Sequence, residues 1–516
     1  MRRIKRRRLL GAAGLAAALP SCIFAQTSAA ARPRLLQGVQ VGDVTADGAT
    51  VWSRADRPAR MIVEYATTES FSDAKRIEGP HALEATDFTS RLHIRGVAPG
   101  QTVFYRVSYL DLGDYKTVSV PVVGRFRTPA AGGGGVSFVW SVDTVGQGYG
   151  INPDVGGMTI YETMRKLAPD FFVHSGDTIY ADNPLTAEKK LAGGKIWKNL
   201  VTEAKSKVAG TLDDYRGNHR YNFLDNNLRR FNAEVPMLAQ WNDHDVTDNW
   251  YWEKTLHADP RYRQKSAAIL AAYAERAFRE HTPLFGRLDG AMQLYRRFSF
   301  GPRLDVFRTD MRSFRGPNGP NRQTTQGPDT AFLGPAQVEW LKGALRASKA
   351  TWKIIAADMP IGLVIYDDWR TKSGSDGVAN GDNGAPSGRE LEISGLLAFI
   401  KRENIRNVHW ITADLHYPAT HRYNPTRAAF SDFLPFYEFV SGPLCAGGMG
   451  PNDLDDTFGP EVVFQKVPPA GKFDTAPSEG SCHFGHVKID GRTGAMTASH
   501  RDATGNVLHA LNLDPT

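Results

Sequence analysis

The 516-residue chain contains little cysteine and shows no internal repeat or low-complexity array. Of its three cysteines, Cys22 lies near the N-terminus, whereas Cys445 and Cys482 would either pair in an oxidising compartment or remain two buried thiols. The apolar stretch from Leu9 to Leu19 is about half of the roughly 20 residues that a membrane-spanning helix needs. The composition gives no sign of a disordered or fibrous protein.

Net charge is nearly absent from the body of the chain. The formal net charge is +7, but residues 1–31 hold six Lys and Arg residues and no acid, which leaves +1 for the remainder. The charge of the body of the chain therefore gives no argument for binding to nucleic acid or to a membrane surface. The length, with 41% hydrophobic and 23% charged residues, is ordinary for a globular protein of two or more domains.

Residues from about 35 to 128 have the pattern of a small all-β unit. About seven short strands fit this span, the count typical of an immunoglobulin-like sandwich. The segment from Pro99 to Tyr105 resembles the corner between strands E and F of fibronectin type III domains. A Gly-rich linker follows. The predicted organisation is an export signal over 1–31, a fibronectin-like β-sandwich over 32–129, the linker over 130–135 and a second domain over 136–516.

Beyond the linker, apolar strands alternate with amphipathic helices, which predicts an α/β domain with strands covered on both faces. The predicted strands are 136–142, 171–175, 352–357 and 407–412, and the predicted helices are 159–167, 337–347 and 396–402. Segments 183–232 and 250–285 have helical patterns and are predicted insertions. Segments 316–330 and 371–390, rich in Gly, Asn, Asp and Pro, are predicted loops.

Four apolar runs end in acidic or histidine side chains. Because ligands gather at the carboxyl ends of strands in open α/β sheets, we expect these side chains to converge. Grouped carboxylates repel one another unless a cation lies between them, and oxygen ligands with one imidazole suit Fe, Mn, Mg, Ca or Zn. Tyr180 adds a further oxygen ligand, so the pattern predicts a site for two metal ions. The candidate ligands are Asp143, Asp177, Tyr180, Asp243, Asp414 and His416.

These segments resemble motifs of the calcineurin-like metallophosphoesterases and, more closely, of the PhoD-like alkaline phosphatases. Four segments of this chain match motifs of that family. Ser175–Tyr180 matches its Gly-Asp-x-x-Tyr, and Trp241–Asp245 matches its Trp-Asp-Asp-His-Glu. Asp310–Arg315 matches its Asp-x-Arg-x-x-Arg, and Ala413–His416 matches its Gly-Asp-x-His. The resemblance covers nearly the whole chain. It implies an N-terminal fibronectin-like sandwich joined to an α/β metallophosphoesterase domain of two sheets flanked by helices.

The same resemblance implies roles for the candidate ligands. Asp177 would bridge two ions. Asp143, Tyr180 and His416 would complete an Fe(III)-type site, while Asp243 and Asp414 would complete a Ca(II)-type site. The family's Ser-Cys-x-Asp segment is Trp140-Ser141-Val142-Asp143 here, so Ser141 replaces an iron-binding cysteine. A hydroxyl is a poor substitute for a thiolate, and either Asp143 carries the first site or the metal identity differs.

The expected activity is hydrolysis of a small-molecule or lipid phosphoester by a metal-bound hydroxide, as in an alkaline phosphatase or phosphodiesterase. His244 would donate a proton to the leaving oxygen or stabilise the phosphate. Arg312 is either a phosphate clamp or a structural partner of Asp310. Two alternatives are a phospholipase D-type phosphodiesterase and an exported binding protein with a degenerate metal site, which Ser141 favours. We expect a monomer.

The N-terminus has the features of an export signal, a basic run ending at Arg8 followed by an apolar stretch. Arg6–Leu10 resembles a twin-arginine signal, although a general secretory signal also tolerates arginines. We favour the twin-arginine export machinery as a partner, because a metal site would benefit from loading before export. The expected location is periplasmic or secreted.

Overall fold

A computed structural model describes residues 31–286 and 292–516 of the chain. The predicted export signal, with Cys22, lies outside the described residues except for Ala31. None of the helices in the described ranges combines the length and the apolar character that crossing a bilayer requires.

The strands of the described residues are β1 (Val39–Thr45), β2 (Gly48–Arg54), β3 (Ala59–Ala66), β4 (Lys75–Ala82), β5 (Thr89–Ile94), β6 (Thr102–Asp111), β7 (Val122–Arg127), β8 (Val136–Ser141), β9 (Phe171–Ser175), β10 (Glu188–Lys190), β11 (Ile196–Lys198), β12 (Met237–Gln240), β13 (Arg296–Phe300), β14 (Leu304–Arg308), β15 (Trp352–Ala356), β16 (Val408–Thr412), β17 (Ala419–Tyr423), β18 (Phe436–Val440), β19 (Pro460–Gln465), β20 (His483–Ile489), β21 (Met496–Asp502) and β22 (Val507–Leu513). The α-helices are α1 (Thr159–Lys166), α2 (Leu212–Asn222), α3 (Asn226–Glu234), α4 (Ala267–His281), α5 (Pro335–Ala347) and α6 (Glu390–Arg402).

Two large mixed sheets form the centre of the molecule. The first has the order β22-β21-β20-β8-β9-β12-β1-β2-β5, and the second has the order β13-β14-β15-β16-β18-β17-β19. Their inner faces share one apolar core, in which Phe171 stacks on Phe300 with ring centroids 4.0 Å apart. Helices α1 to α4 cover the outer face of the first sheet, and α5 and α6 cover that of the second. The predicted combination of sheets with covering helices is therefore confirmed.

The N-terminal region contains the expected seven strands, β1 to β7, arranged as two layers. β4-β3-β6-β7 form a sheet of their own, but β1, β2 and β5 continue the first large sheet through the parallel pairing of β1 with β12. Gly42 permits this contact, because a Cβ there would lie 2.6 Å from Pro283 Cγ and 2.7 Å from the Met237 carbonyl oxygen. The sandwich-like strands are thus continuous with the α/β region, and the domain boundaries stay a prediction.

Several predicted elements differ from the observed ones. The helix predicted over 396–402 begins earlier, at Glu390, because buried acidic residues in its first turn disguise the apolar pattern. Within 250–285 the α-helix is α4 alone, and Pro260 lies in the irregular segment that precedes it. Segment 183–232 holds the β10–β11 hairpin as well as α2 and most of α3. The strand predicted over 171–175 has the observed bounds.

Buried histidines lie on strands of both large sheets. His421 on β17 and His483 on β20 have no hydrogen-bond partner for either ring nitrogen within the described ranges. His500 on β21 contacts the Thr420 hydroxyl at 2.9 Å. Burial lowers the pKa of His421 and His483 to about 4 and that of His500 to about 3. These rings are therefore neutral in the folded protein at neutral pH.

Acid should destabilise the fold through these histidines. A folded-state pKa below the unfolded value near 6.5 means that the stabilisation is complete above pH 6.5 and is lost as the pH falls toward 4. We expect His421→Leu to reduce the loss of unfolding free energy between pH 8 and pH 4.5 by about 2–3 kcal/mol. Urea unfolding followed by circular dichroism measures this, with His257→Leu, at an exposed loop position, as the control. An unchanged pH dependence in His421→Leu would contradict the assignment.

Candidate metal centre

The candidate ligands follow strands whose carboxyl ends meet. β8, β9 and β12 are adjacent and parallel in the first sheet, and they lead into Asp143, Asp177 and Asp243. β16 lies in the interior of the second sheet, and it leads into Asp414 and His416. Because the two sheets pack face to face, both sets of side chains are brought to one edge of the shared core.

Four of these residues have a left-handed backbone. The φ angles are 65° at Asp143, 48° at Asp177, 72° at Asp414 and 58° at His416. A residue with a Cβ pays on the order of 1–3 kcal/mol for this conformation, which persists where the surroundings over-determine it and is common at functional sites. The sharp turn after each strand is consistent with side chains aimed at a shared point.

The first group of side chains consists of Asp143, Tyr180 and His416. The Tyr180 hydroxyl donates to Asp143 Oδ1 at 2.5 Å and lies 3.0 Å from His416 Nε2. His416 Nδ1–H donates to the Gly447 carbonyl oxygen at 2.7 Å, which makes Nε2 the ring nitrogen that faces the group. Asp143 Oδ2 is buried and has no hydrogen-bond partner among the described residues. An imidazole nitrogen, a phenol and an orphaned carboxylate oxygen fit a bound cation.

The second group consists of Asp177, Asp243 and Asp414, whose carboxylate oxygens lie within 4.8 Å of one another. Burial and the charge of Asp243 raise the pKa of Asp177 well above its usual range. The same two causes raise the pKa of Asp414 to about 7. A cation between the carboxylates would remove this repulsion, so the oxygen-only set fits a hard metal ion. Asp177 also interacts with Asp143, which links the two groups.

Ser141 and the two described cysteines lie beside the first group without joining it. The buried Ser141 hydroxyl donates to the His483 carbonyl oxygen at 2.9 Å. Cys445 and Cys482 are both free and buried, and burial raises the pKa of each thiol. Of the two alternatives for these cysteines, the structure has the unpaired one. The Cys445 amide supports the site through its backbone, donating to the Asp143 carbonyl oxygen at 2.8 Å.

His244 stacks on Tyr180, with ring centroids 4.1 Å apart. Its Nδ1 lies 2.9 Å from Asp182 Oδ1, and its Nε2 lies 3.8 Å from Asp243 Oδ2. Burial opposes the charged imidazole, but the charges of Asp182 and Asp243 outweigh it and raise the pKa of His244 well above its ordinary value. Although Asp182 is buried, its pKa is lowered to about 2 by the His244 ring. A half-buried imidazole is thus held beside the second group.

Sequence reasoning missed Asp182, which lies in the same strand-end loop as Asp177 and Tyr180. With His244 and the exposed Asp248 it forms another set of possible ligand atoms within 4.8 Å of one another. The short contact between Asp182 and His244 Nδ1 already engages that ring nitrogen. Asp182 could have been identified from the sequence, because it is an acidic residue in the same short segment, Ser175–Asp182, as Asp177 and Tyr180.

Arg312 is completely buried behind the second group. Its guanidinium binds Asp376 at 2.8 Å and Asp243 at 3.2 Å, and its Nε donates to Asn242 Oδ1 at 2.8 Å. Asp310, the partner considered from sequence, accepts the Trp241 indole N–H and the backbone N–H of Arg312, both at 3.1 Å, rather than the guanidinium of Arg312. The structure therefore connects Arg312 to the candidate ligands, but places it away from solvent.

Two further buried residues, not predicted from sequence, fix the loops that carry the ligands. Asp245 accepts the backbone N–H groups of Ile179 and Asn242 at 3.1 and 3.0 Å, which ties the loops after β9 and β12 together. The Lys205 ammonium donates to the Tyr180 carbonyl oxygen at 2.7 Å. Burial lowers the pKa of Lys205 to about 7.

Comparison with known proteins identifies the family. The family model described as PhoD-like phosphatase matches residues 138–500, and the model of the PhoD-like phosphatase N-terminal domain matches residues 20–130. The chain is 26% identical over 445 residues to alkaline phosphatase D of Bacillus subtilis (strain 168), covering 81% of this chain and 71% of that relative.

Solved structures show the same fold. The structure of PhoD superposes with a TM-score of 0.68 at 21% identity, covering 93% of this chain and 89% of that one. A purple acid phosphatase from yellow lupin (Lupinus luteus) seeds superposes with a TM-score of 0.55 at 10% identity, covering 94% of this chain and 74% of that one. Since the first family model alone spans more than half of the sequence, the chain belongs to the PhoD-like phosphatase family and is a phosphatase enzyme.

Proposed function

We propose that this phosphatase is an exported phosphoester hydrolase with a binuclear metal centre. The observation that carries the proposal is the pair of adjacent ligand groups linked through Asp177. Asp143, Tyr180 and His416 would hold the first ion, Asp243 and Asp414 the second, and Asp177 both. When bound, the two ions would lower the pKa of water toward neutrality and stabilise charge on the phosphoryl oxygens.

His244 is the proposed acid for the leaving oxygen. One face of its ring is fixed by stacking on Tyr180, and Nδ1 is fixed by Asp182, so Nε2 is the nitrogen directed toward the second group. The nearby carboxylates favour the protonated ring, which is the form that can donate. Asp182 would be a positioning residue that sets the orientation of the imidazole and stabilises its charge.

Arg312 is assigned a supporting role. A phosphate clamp needs donors that a substrate can reach, but the Arg312 side chain is fully buried and its donors bind Asn242, Asp243 and Asp376. We infer that its hydrogen bonds to Asn242 and Asp243 hold the second group in position. Membership of a phosphatase family argues against the binding-protein alternative, and the grouping of Asp177, Asp243 and Asp414 supports a retained metal site.

The two proposed metal ions are Fe(III) at the first group and Ca(II) at the second. Tyr180 supports the first assignment, because a phenolate is a strong donor to ferric iron and a buried phenol deprotonates only beside strong positive charge. Burial and the neighbouring Asp143 raise the pKa of Tyr180 well above its ordinary value. The all-carboxylate second group suits calcium, which prefers oxygen ligands.

The proposed substrate is a small-molecule or lipid phosphoester, which includes the narrower alternative of a phospholipase D-type phosphodiesterase. The proposed location is periplasmic or secreted, with the twin-arginine machinery as the export partner. Support comes from the basic and apolar N-terminal sequence, which precedes the described residues. We propose a monomer made of the sandwich over 32–129 and the catalytic domain over 136–516.

Loss of the shared ligand should abolish activity. Asp177→Asn removes the charge that both ions would share, so we expect hydrolysis of p-nitrophenyl phosphate to fall to background while circular dichroism shows a folded protein. Asp154→Asn, at an exposed position, is the control. The same assays with bis-p-nitrophenyl phosphate and phosphatidylcholine vesicles separate monoesterase, diesterase and phospholipase activities. Wild-type-like activity in Asp177→Asn would contradict the proposal.

The role of Asp182 predicts a dependence on the leaving group. Loss of a general acid costs about 10²–10⁴-fold in rate when the leaving oxygen needs a proton. Asp182→Asn should therefore slow phenyl phosphate hydrolysis far more than p-nitrophenyl phosphate hydrolysis, as His244→Ala should. Steady-state kinetics on both substrates measures the ratio, with Asp432→Asn as an exposed control. Equal losses on both substrates would leave Asp182 with a merely structural role.

The metal assignment predicts a visible spectrum. Iron-loaded protein should show a phenolate-to-iron charge-transfer band that disappears in Tyr180→Phe and persists in Tyr149→Phe, a buried tyrosine that instead binds the Asp474 carbonyl oxygen. Metal analysis of the same samples should find iron and calcium. A colourless, iron-free and fully active enzyme would exclude the iron assignment.

A further inference from the structure

Asp376 lies in the long loop between β15 and α6, yet its side chain is completely buried. Its two carboxylate oxygens accept from the Arg312 guanidinium in parallel, Oδ2 from Nη2 at 2.8 Å and Oδ1 from Nη1 at 3.1 Å. This bidentate geometry fixes the plane of the guanidinium as well as its position. The proposed reaction gives this carboxylate no role of its own.

The other edge of Arg312 faces the second ligand group. Its Nε donates to Asn242 Oδ1 at 2.8 Å, and its Nη2 donates to Asp243 Oδ1 at 3.2 Å. The Asn242 amide then donates to Asp414 Oδ1 at 2.6 Å and to Asp177 Oδ2 at 3.2 Å. Asp376 is therefore connected to Asp243 through Arg312, and to Asp177 and Asp414 through Arg312 and then Asn242.

The loop that carries Asp376 is itself fixed. Arg389 Nη1 donates to the carbonyl oxygens of Ser375 and Asp376, both at 2.9 Å. Its Nη2 donates to the Pro317 carbonyl oxygen at 3.0 Å, which fastens this loop to the one before it. Asn318 adds a donor to Asp376 Oδ1 at 2.8 Å. The carboxylate is thus held from several directions, as expected of a residue that orients another.

We propose that Asp376 is a positioning residue for the second metal ion, acting through Arg312 on Asn242 and Asp243. An unneutralised guanidinium 3.2 Å from a ligand oxygen would repel a cation and compete with it for Asp243. Asp376, which also lies 3.1 Å from Arg315 Nη2, offsets part of that charge and turns the guanidinium so that it supports the ligands instead. The inference rests on the proposed function, since it assumes that an ion binds Asp177, Asp243 and Asp414.

Asp358 provides a matched comparison. It is also completely buried beside Arg312, with Oδ2 3.9 Å from Nε, but neither of its oxygens has a hydrogen-bond partner among the described residues. Both carboxyl groups are buried beside Arg312, whereas Asp376 alone of this pair orients it by hydrogen bonds. Replacing each by Asn changes a buried carboxyl group beside the same guanidinium, but only at position 376 does the change remove the paired hydrogen bonds.

The test is a calcium titration of chelator-treated protein by calorimetry, together with p-nitrophenyl phosphate hydrolysis as a function of Ca²⁺ concentration. Outer partners of metal ligands typically contribute about 10–100-fold to metal affinity. We expect Asp376→Asn to raise the Kd for Ca²⁺ by about 10-fold or more, with activity regained at high Ca²⁺. Asp358→Asn should change the Kd much less, and Asp368→Asn, at an exposed position of the same loop, should leave it unchanged.

Three results would overturn the inference. One is an unchanged Kd in Asp376→Asn, and another is an equal rise in Asp376→Asn and Asp358→Asn, which would indicate an effect of any buried carboxyl group beside Arg312 rather than of the paired hydrogen bonds. The third is activity that stays low in Asp376→Asn at every Ca²⁺ concentration. If Asp376→Asn fails to fold, Arg312→Lys, which keeps the charge but loses the fork of donors, should show the same rise in Kd. A wild-type protein that takes up neither Ca²⁺ nor Mn²⁺ would overturn the proposed function itself.

Discussion

The repulsion among carboxylates buried at the meeting point of two sheets is the constraint on which the rest of this structure depends. One carboxylate oxygen from each of Asp177, Asp243 and Asp414 lies within 4.8 Å of the others, and Asp177 and Asp243 are buried while Asp414 is partly exposed. Carboxylates this close together are unfavourable when all of them are ionised, and this repulsion contributes to the raised pKa values of Asp177 and Asp414. Cations are the general remedy, and a fold that maintains this arrangement is organised around binding them.

The surroundings of the group show how the arrangement is maintained. Left-handed turns at Asp143, Asp177 and Asp414 follow three strands, and strain of this kind persists only where neighbouring contacts enforce it. Asp245 supplies one such contact by binding amides of two ligand loops, and Arg312 supplies another from behind. The positive charge of Arg312 offsets part of the repulsion without occupying the place of an ion.

The sequence predicts the strand ends well because their signal is local. A fully apolar strand such as Phe171–Ser175 is followed directly by its acidic residue, so the element and the candidate ligand are visible in one short segment. The support for the site is not visible in this way. Asp376 lies 64 positions from Arg312, and the pairing of β1 with β12 depends on a contact of Gly42 with the distant Pro283. Only the folded arrangement of loops and sheets reveals such contacts.

Ser141, at the position where the family motif that this chain resembles has a cysteine, has a hydrogen-bond partner in the structure. The Ser141 hydroxyl donates to the His483 carbonyl oxygen, so the serine itself leaves no unpaired donor beside the first ligand set. The donors that remain there are the Asp143 carboxylate, the Tyr180 phenol and the His416 imidazole. Oxygen and imidazole donors bind harder cations than a thiolate does. The first group of this chain should therefore discriminate between metals differently from a thiolate-containing site, even where its position in the fold is the same.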